Sequence, residues 1–207
     1  SVIRQAVTVT DYAKDHGLVV ELSGEDASRA DQDYLASLYR AGIEAGADRL
    51  AFCDTVGVLV PEAAGEIFTR LSRLGRPVSI HCHNDFGMAT ANTVAALRAG
   101  ASQAHVTVNG IGERAGNASL EEVVMALESL YKIDTGIKCQ DIYQLSRLVS
   151  RMTGLPMAPN KAIVGENAFT HEAGIHVHGL LADTKTYEPM QPEKEKRKRR
   201  IVLGKHA

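Results

Sequence analysis

The chain has 207 residues, of which 44% are hydrophobic and 23% charged, and its formal net charge is −2. That length supports one sizeable core. The charge gives no basis for nucleic acid or an anionic membrane as the main partner, and no apolar run approaches the roughly 18 residues of a membrane span.

Residues 1–17, SVIRQAVTVTDYAKDHG, lack the basic-then-apolar build of a signal peptide. The missing initiator methionine leads to the expectation that the chain is a piece of a longer one. GLVVELS (17–23), bounded by Gly17 and Gly24, reads as a first strand. DRLAFCDT (48–55), PVSIHCH (77–83) and QAHVTVNG (103–110) read as three more. Between them lie helical patterns. Residues 31–45 group Leu35, Leu38, Tyr39, Ala41 and Ile43 on or near one face, Pro61 opens a second helix, and MATANTVAALRAG ends a third at Gly100. Ser119 and Glu122 have capping-box spacing at the start of SLEEVVMALESLY. Beyond residue 131, CQDIYQLSRLVSRMTG (139–154) predicts an amphipathic helix and LPMAPNKAIVGENAF a loop. The basic end EKEKRKRR (193–200) reads as a solvated linker. The alternative is a nucleic-acid tail, but acids interrupt it and no aromatic is present to stack bases.

Glu21, Asp54, His81 and Thr107 recur at spacings of 33, 27 and 26 residues, the period of a βα unit. Such units force parallel strands, and both architectures that follow, an open doubly wound sheet or a (β/α)8 barrel, gather functional side chains at C-terminal strand ends. Polar chemistry at all four ends (SGEDASR, CDTVG, HCHNDFG, NGIGERAGN) favours the barrel. Three dispersed cysteines, Cys53, Cys82 and Cys139, form no disulfide framework, and a reducing cytoplasm is the expected compartment.

On a strand, residues i and i+2 point the same way, so His81 and His83 aim together. They suit a divalent metal or, alternatively, a hydrogen-bonded pair of core histidines. Cys82 points away. Gly110, Gly112 and Ala115 formally satisfy a dinucleotide fingerprint. Against it, Glu113 and Arg114 occupy the turn where a pyrophosphate would need close backbone approach, and the acid at the ribose position, Asp134, follows no strand.

HCHND, followed about 25 residues later by NGIGERAGNA, resembles the acyl-CoA-dependent Claisen condensing family, which includes 2-isopropylmalate, homocitrate and citramalate synthases. ELSGEDASR, CDTVG and GENAFTHEAGIH match in the same order, and the archaeal-type members are the most similar. The resemblance implies the C-terminal half (about strands 5–8) of a TIM (β/α)8 barrel over residues 1–135. Residues 136–207 would form a small helical linker subdomain leading to a further C-terminal domain. The family's first-strand Arg-Asp pair, with its metal-ligating Asp, has no counterpart here, so the isolated chain is expected to show no more than trace activity. The resemblance further implies that His81 and His83 ligate a divalent metal (Mg, Mn or Zn), with Asn117 a weaker ligand. Ser23 and Thr55 line the substrate pocket. His171, oriented by Glu25, acts as base or proton relay, and Tyr187 joins it, both from the partner subunit of a homodimer. Glu113 and Arg114 brace the last turn without a catalytic role. From their places in the sequence, His16 reads as a helix-end residue and His105 as a strand residue, neither with chemistry. The implied activity is condensation of acetyl-CoA with a 2-oxo acid, first as a 2-isopropylmalate synthase of leucine biosynthesis. The alternatives are a homocitrate or citramalate synthase, a metal-dependent aldolase or lyase of the same barrel family, and an inactive fragment.

Overall fold

The computed structural model describes residues 1–171 and 200–201. The backbone divides into two compact units, Ser1–Ser119 and Leu120–Ala207.

The first unit opens with a helix of which the sequence reading marked only the end, at His16. In α1 (Val2–Asp15) the Ser1 Oγ accepts the Arg4 N–H at 3.4 Å. The run Val7-Thr8-Val9-Thr10 is β-branched and locally prefers a strand. Tertiary contacts decide otherwise: Thr10 is buried, and Lys14 Nζ reaches Asp48 Oδ2 at 2.8 Å.

There follow β1 (Glu21–Gly24), α2 (Gln32–Glu44), β2 (Arg49–Asp54), α3 (Pro61–Leu71), β3 (Val78–Cys82), α4 (Ala89–Arg98) and β4 (Gln103–His105). The sheet order is β1-β2-β3-β4 and each neighbouring pair is parallel. This is the α/β wall that the spacing predicts. The Asp31 side chain accepts from the Asp33 and Tyr34 N–H groups to start α2, and Pro61 begins α3, where a missing N–H costs nothing.

One sheet face is sealed by helices. Leu50, Phe52, Val78 and Ile80 are buried with Tyr39 of α2 and Phe68 of α3. The Phe52 and Phe68 rings meet edge to face at 5.7 Å, and the Tyr39 hydroxyl donates to Ala51 O at 2.7 Å. Burying side chains of this size contributes about 1.5–3 kcal/mol each. The register then settles which residues share the opposite face. Cys53 pairs with His81 and His81 with His105, whereas Asp54 pairs with Cys82. Asp54 therefore belongs to the helix-covered face rather than to the row with His81. It is fully buried, where its carboxylate accepts Ser28 Oγ–H and the Val58 and Leu59 N–H groups and so folds the β2–α3 loop. β4 ends earlier than the 103–110 expected, because Val108–Gly110 turn with Asn109 at φ 63°.

In the second unit α5 (Leu120–Ser129) and α6 (Cys139–Thr153) share a core of Val124, Met125, Ile142 and Val164, edged by Met157 and Ile163. Lys161 Nζ lies 3.0 Å from Glu121 Oε1 and 2.7 Å from Glu122 Oε1, fastening the stretch after α6 to the first turn of α5. The short strand β5 (Thr170–His171) pairs in parallel with β6 (Arg200–Ile201). Among the described residues no helix is long and apolar enough to cross a membrane.

Candidate active site

Alternate residues of each strand project to the sheet face opposite the helices, which brings Glu21 and Ser23 of β1, Cys53 of β2, Ser79 and His81 of β3 and His105 of β4 to that face. Ser23, Glu25, Cys53, Thr55, His81, His83 and His105 line one cleft on it. Three positions singled out in the sequence for substrate or catalysis, Ser23, Glu25 and Thr55, thus stand beside both histidines. The Thr55 Oγ1 accepts the Asp26 N–H at 2.8 Å, which ties the β1 and β2 loops together and leaves the hydroxyl proton to give.

The His81 and His83 rings stand at 77° with centroids 5.0 Å apart, and their Nε2 atoms are 3.3 Å apart. Two nitrogens at about 2.0–2.1 Å from one ion in tetrahedral or octahedral geometry lie roughly 2.9–3.4 Å from each other, so the spacing fits a shared divalent ion. Asn117 is bridged to His83 through the backbone. Its Nδ2 donates to Ile111 O at 3.2 Å, while its Oδ1 is buried without a partner, as is His83 Nδ1. No cluster of three or more His, Cys, Asp or Glu suited to a metal occurs among the described residues. The set here is two imidazoles with one orphaned amide oxygen close by in the chain fold, and further positions would fall to water or a ligand's oxygens.

Electrostatics favour a neutral His81 imidazole. Burial, then the neighbouring His83 and His105, hold the His81 pKa below its ordinary value, so a lone pair is available at neutral pH. Burial, with Glu25 and Glu21 adding to it, pushes the Cys53 thiol up to about 11, and burial pushes Cys82 up to about 12. Neither is a thiolate at neutral pH.

His105 is the member that the sequence reading set aside. Its Nε2 lies 3.2 Å from Glu21 Oε1, whose other oxygen accepts the Ser79 hydroxyl at 2.8 Å. Its ring sits 5.7 Å from that of His81. The available signal was the i, i+2 alternation of His105 with Thr107. His16, by contrast, is the helix-end residue expected, closing α1 with Nδ1 2.7 Å from Tyr12 O. His171 closes β5 in the second unit, and Tyr187 lies outside the described residues.

A family model described as HMGL-like matches residues 1–149. The chain belongs to that family. A second model, described as homocitrate synthase post-HMGL domain-like, matches residues 163–207. Among HMGL-like relatives, the chain is 73% identical over 207 residues to the putative (R)-citramalate synthase CimA of Methanosarcina acetivorans, covering 99% of this chain and 43% of that protein. It is 59% identical to the (R)-citramalate synthase CimA of Methanocaldococcus jannaschii, covering 100% and 42% respectively. It is 56% identical to a probable 2-isopropylmalate synthase of Methanopyrus kandleri, covering 99% and 41%. The chain thus spans less than half the length of these relatives. Among solved structures, a Bacillus subtilis HMG-CoA lyase superposes with a TM-score of 0.66 at 22% identity, covering 75% of this chain and 56% of the lyase. The carboxyl transferase domain of Rhizobium etli pyruvate carboxylase gives 0.63 at 22%, covering 79% and 30%. At such identities the likeness concerns the HMGL-like barrel fold alone.

Proposed function

We propose that the protein carrying this chain condenses acetyl-CoA with a 2-oxo acid as a citramalate synthase does. The observation that carries the reading is the His81–His83 pair, Nε2 atoms 3.3 Å apart, in a cleft shared with Ser23, Glu25 and Thr55. Identities of 73% and 59% to proteins with citramalate-synthase names favour that substrate over the 2-isopropylmalate synthase of the first expectation, whose name appears at 56%. Citramalate is 2-methylmalate. Removing the two carbons of an acetyl group leaves pyruvate as the 2-oxo acid. The match of residues 163–207 to a post-HMGL synthase segment supports a synthase over a lyase.

In this reading His81 and His83 hold one divalent ion (Mg, Mn or Zn), with the Asn117 amide oxygen the weaker third donor. When bound, the ion supplies Lewis-acid polarisation of the keto group. Ser23 and Thr55 bind and orient the 2-oxo acid. His171, oriented by Glu25 and joined by Tyr187, takes a proton from the acetyl methyl. The carbon so released forms a bond to the keto carbon, whose oxygen receives a proton, and water then cleaves the thioester to free CoA. His171 and Tyr187 come from the second subunit of a homodimer. Residues 1–135 belong to the barrel and 136–207 to the linker subdomain of a cytoplasmic enzyme.

Thiol release from acetyl-CoA by the full-length protein tests the substrate, with pyruvate, 3-methyl-2-oxobutanoate and 2-oxoglutarate compared. The highest kcat/KM is expected with pyruvate. A missing methylene changes selectivity by about 1–3 kcal/mol, or roughly 10–200-fold, so a preference of that size for 3-methyl-2-oxobutanoate overturns the assignment in favour of 2-isopropylmalate.

A further inference from the structure

Three loops of different strands converge on one guanidinium. Arg114, in the loop after β4, donates from Nε to Asp85 Oδ1 at 2.8 Å and from Nη2 to Asp85 Oδ2 at 2.9 Å. The same Nη2 donates to Thr55 O at 2.7 Å. Asp85 follows β3, two residues after His83. Thr55 follows β2 and lines the cleft. Gly57 (φ +65°) is pressed so close to Asp85 that an added Cβ would stand 2.9 Å from its backbone nitrogen. On the far side, the Asn84 N–H donates to Gly116 O at 2.9 Å, beside Asn117.

Arg114 itself sits at φ 54°, a left-handed backbone that residues with a Cβ disfavour. Arg114 and Asp85 are both partly exposed, with 42% and 23% of their side-chain surface open, and exposed pairs stabilise a fold little. What the contact offers is geometry: a planar fork on a carboxylate plus a third bond to a carbonyl, which an ammonium cannot reproduce.

We infer that Arg114 is a positioning residue for the cleft, which through Asp85 and the Thr55 carbonyl sets the distance between the loop carrying Thr55 and the loops carrying His83 and Asn117. It lines no part of the cleft. It acts through the backbone of residues that do. This assignment goes beyond a local brace of the last turn, and it rests on the proposed role of Thr55 in holding the 2-oxo acid.

The test uses the full-length protein with acetyl-CoA and pyruvate, and the variants Arg114→Lys, Asp85→Asn, their double and Thr55→Val. Misplacement of binding groups by about 1 Å costs on the order of 10²-fold. The expected result for Arg114→Lys is a rise of about tenfold or more in the KM for pyruvate, with the KM for acetyl-CoA unchanged. Amide exchange in peptides covering 54–58 and 110–117 should quicken, while β2 and β3 stay protected and Tm holds. The double variant should be no worse than the more affected single one, because the residues work as one unit. Unchanged KM and unchanged exchange in Arg114→Lys, with Thr55→Val impaired, overturn the inference and leave the substrate site standing. An unchanged pyruvate KM in Thr55→Val instead removes the substrate role on which it rests. A fall in Tm with kcat reduced and KM unmoved makes Arg114 a structural residue only.

Discussion

His81 Nε2 and His83 Nε2 face each other at 3.3 Å across a strand end, although each belongs to a residue whose side chain is only partly buried. Without a shared ion, one ring must donate to the other. With one, both offer lone pairs. Replacing both with Ala in the full-length protein is therefore expected to abolish bound divalent metal and turnover together. Elemental analysis of dialysed protein gives the first readout and thiol release the second. Full metal content in the double variant refutes the ligand assignment.

The proposed roles of His171 and Glu25 can be tested separately from metal binding. General acid–base groups typically contribute about 10²–10⁴-fold, so His171→Ala is expected to lower turnover by that order while metal content persists. If the two act across a dimer interface, mixing a His171→Ala subunit with a Glu25→Ala subunit regenerates one intact site from two impaired ones. Activity no higher than that of the separate variants, with subunit exchange confirmed by native mass, shows that the residues do not act in trans.

The thiols divide by environment. Cys53 is raised to about 11 and Cys82 to about 12 by burial, whereas Cys139 is half-buried. Only thiolates alkylate readily. Native iodoacetamide treatment at pH 7.5 should leave Cys53 and Cys82 untouched and place any adduct on Cys139, as read by peptide mass. Fast labelling of Cys53 would mean that its wall of the cleft is open.

Asp48 provides a pH test of the α1 contact. Its carboxyl lies below the ordinary value because Lys14 Nζ and the Val20 N–H donate to it. A folded-state value below the unfolded one contributes stability above about pH 3.8, and that contribution is lost as pH falls through the folded value. Asp48→Asn is expected to lower Tm at pH 6 and to flatten the drop in Tm between pH 5 and 3. Parallel melting curves for both proteins across that range contradict the contact.

The sequence made the parallel βα wall legible because apolar runs and turn residues repeat at a constant interval, and it made His81 and His83 legible because their alternation is local. What it hid depended on register. Counting from Asp54 placed that residue in the row of His81, but pairing puts Cys53 there, and a slip of one residue moves a side chain to the other face. His105 stayed hidden for the same reason. Its partner Glu21 sits three strands away in chain order, so its position beside His81 emerges only once the sheet is assembled. α1 was hidden by β-branched residues whose local preference is overridden by Thr10 burial and the Lys14–Asp48 contact.

The strand order β1-β2-β3-β4 has a temporal meaning. Within this sheet β2, β3 and β4 each bond to the strand made just before them, so none of these three waits for that partner to be synthesised. At about 5–20 residues per second, a unit of roughly 27 residues appears every one to five seconds, long compared with helix formation and local collapse in microseconds. Growth of the wall in step with translation offers each new strand the free edge of the one before it. The loops that Arg114 fastens meet last, when the chain after β4 has been made.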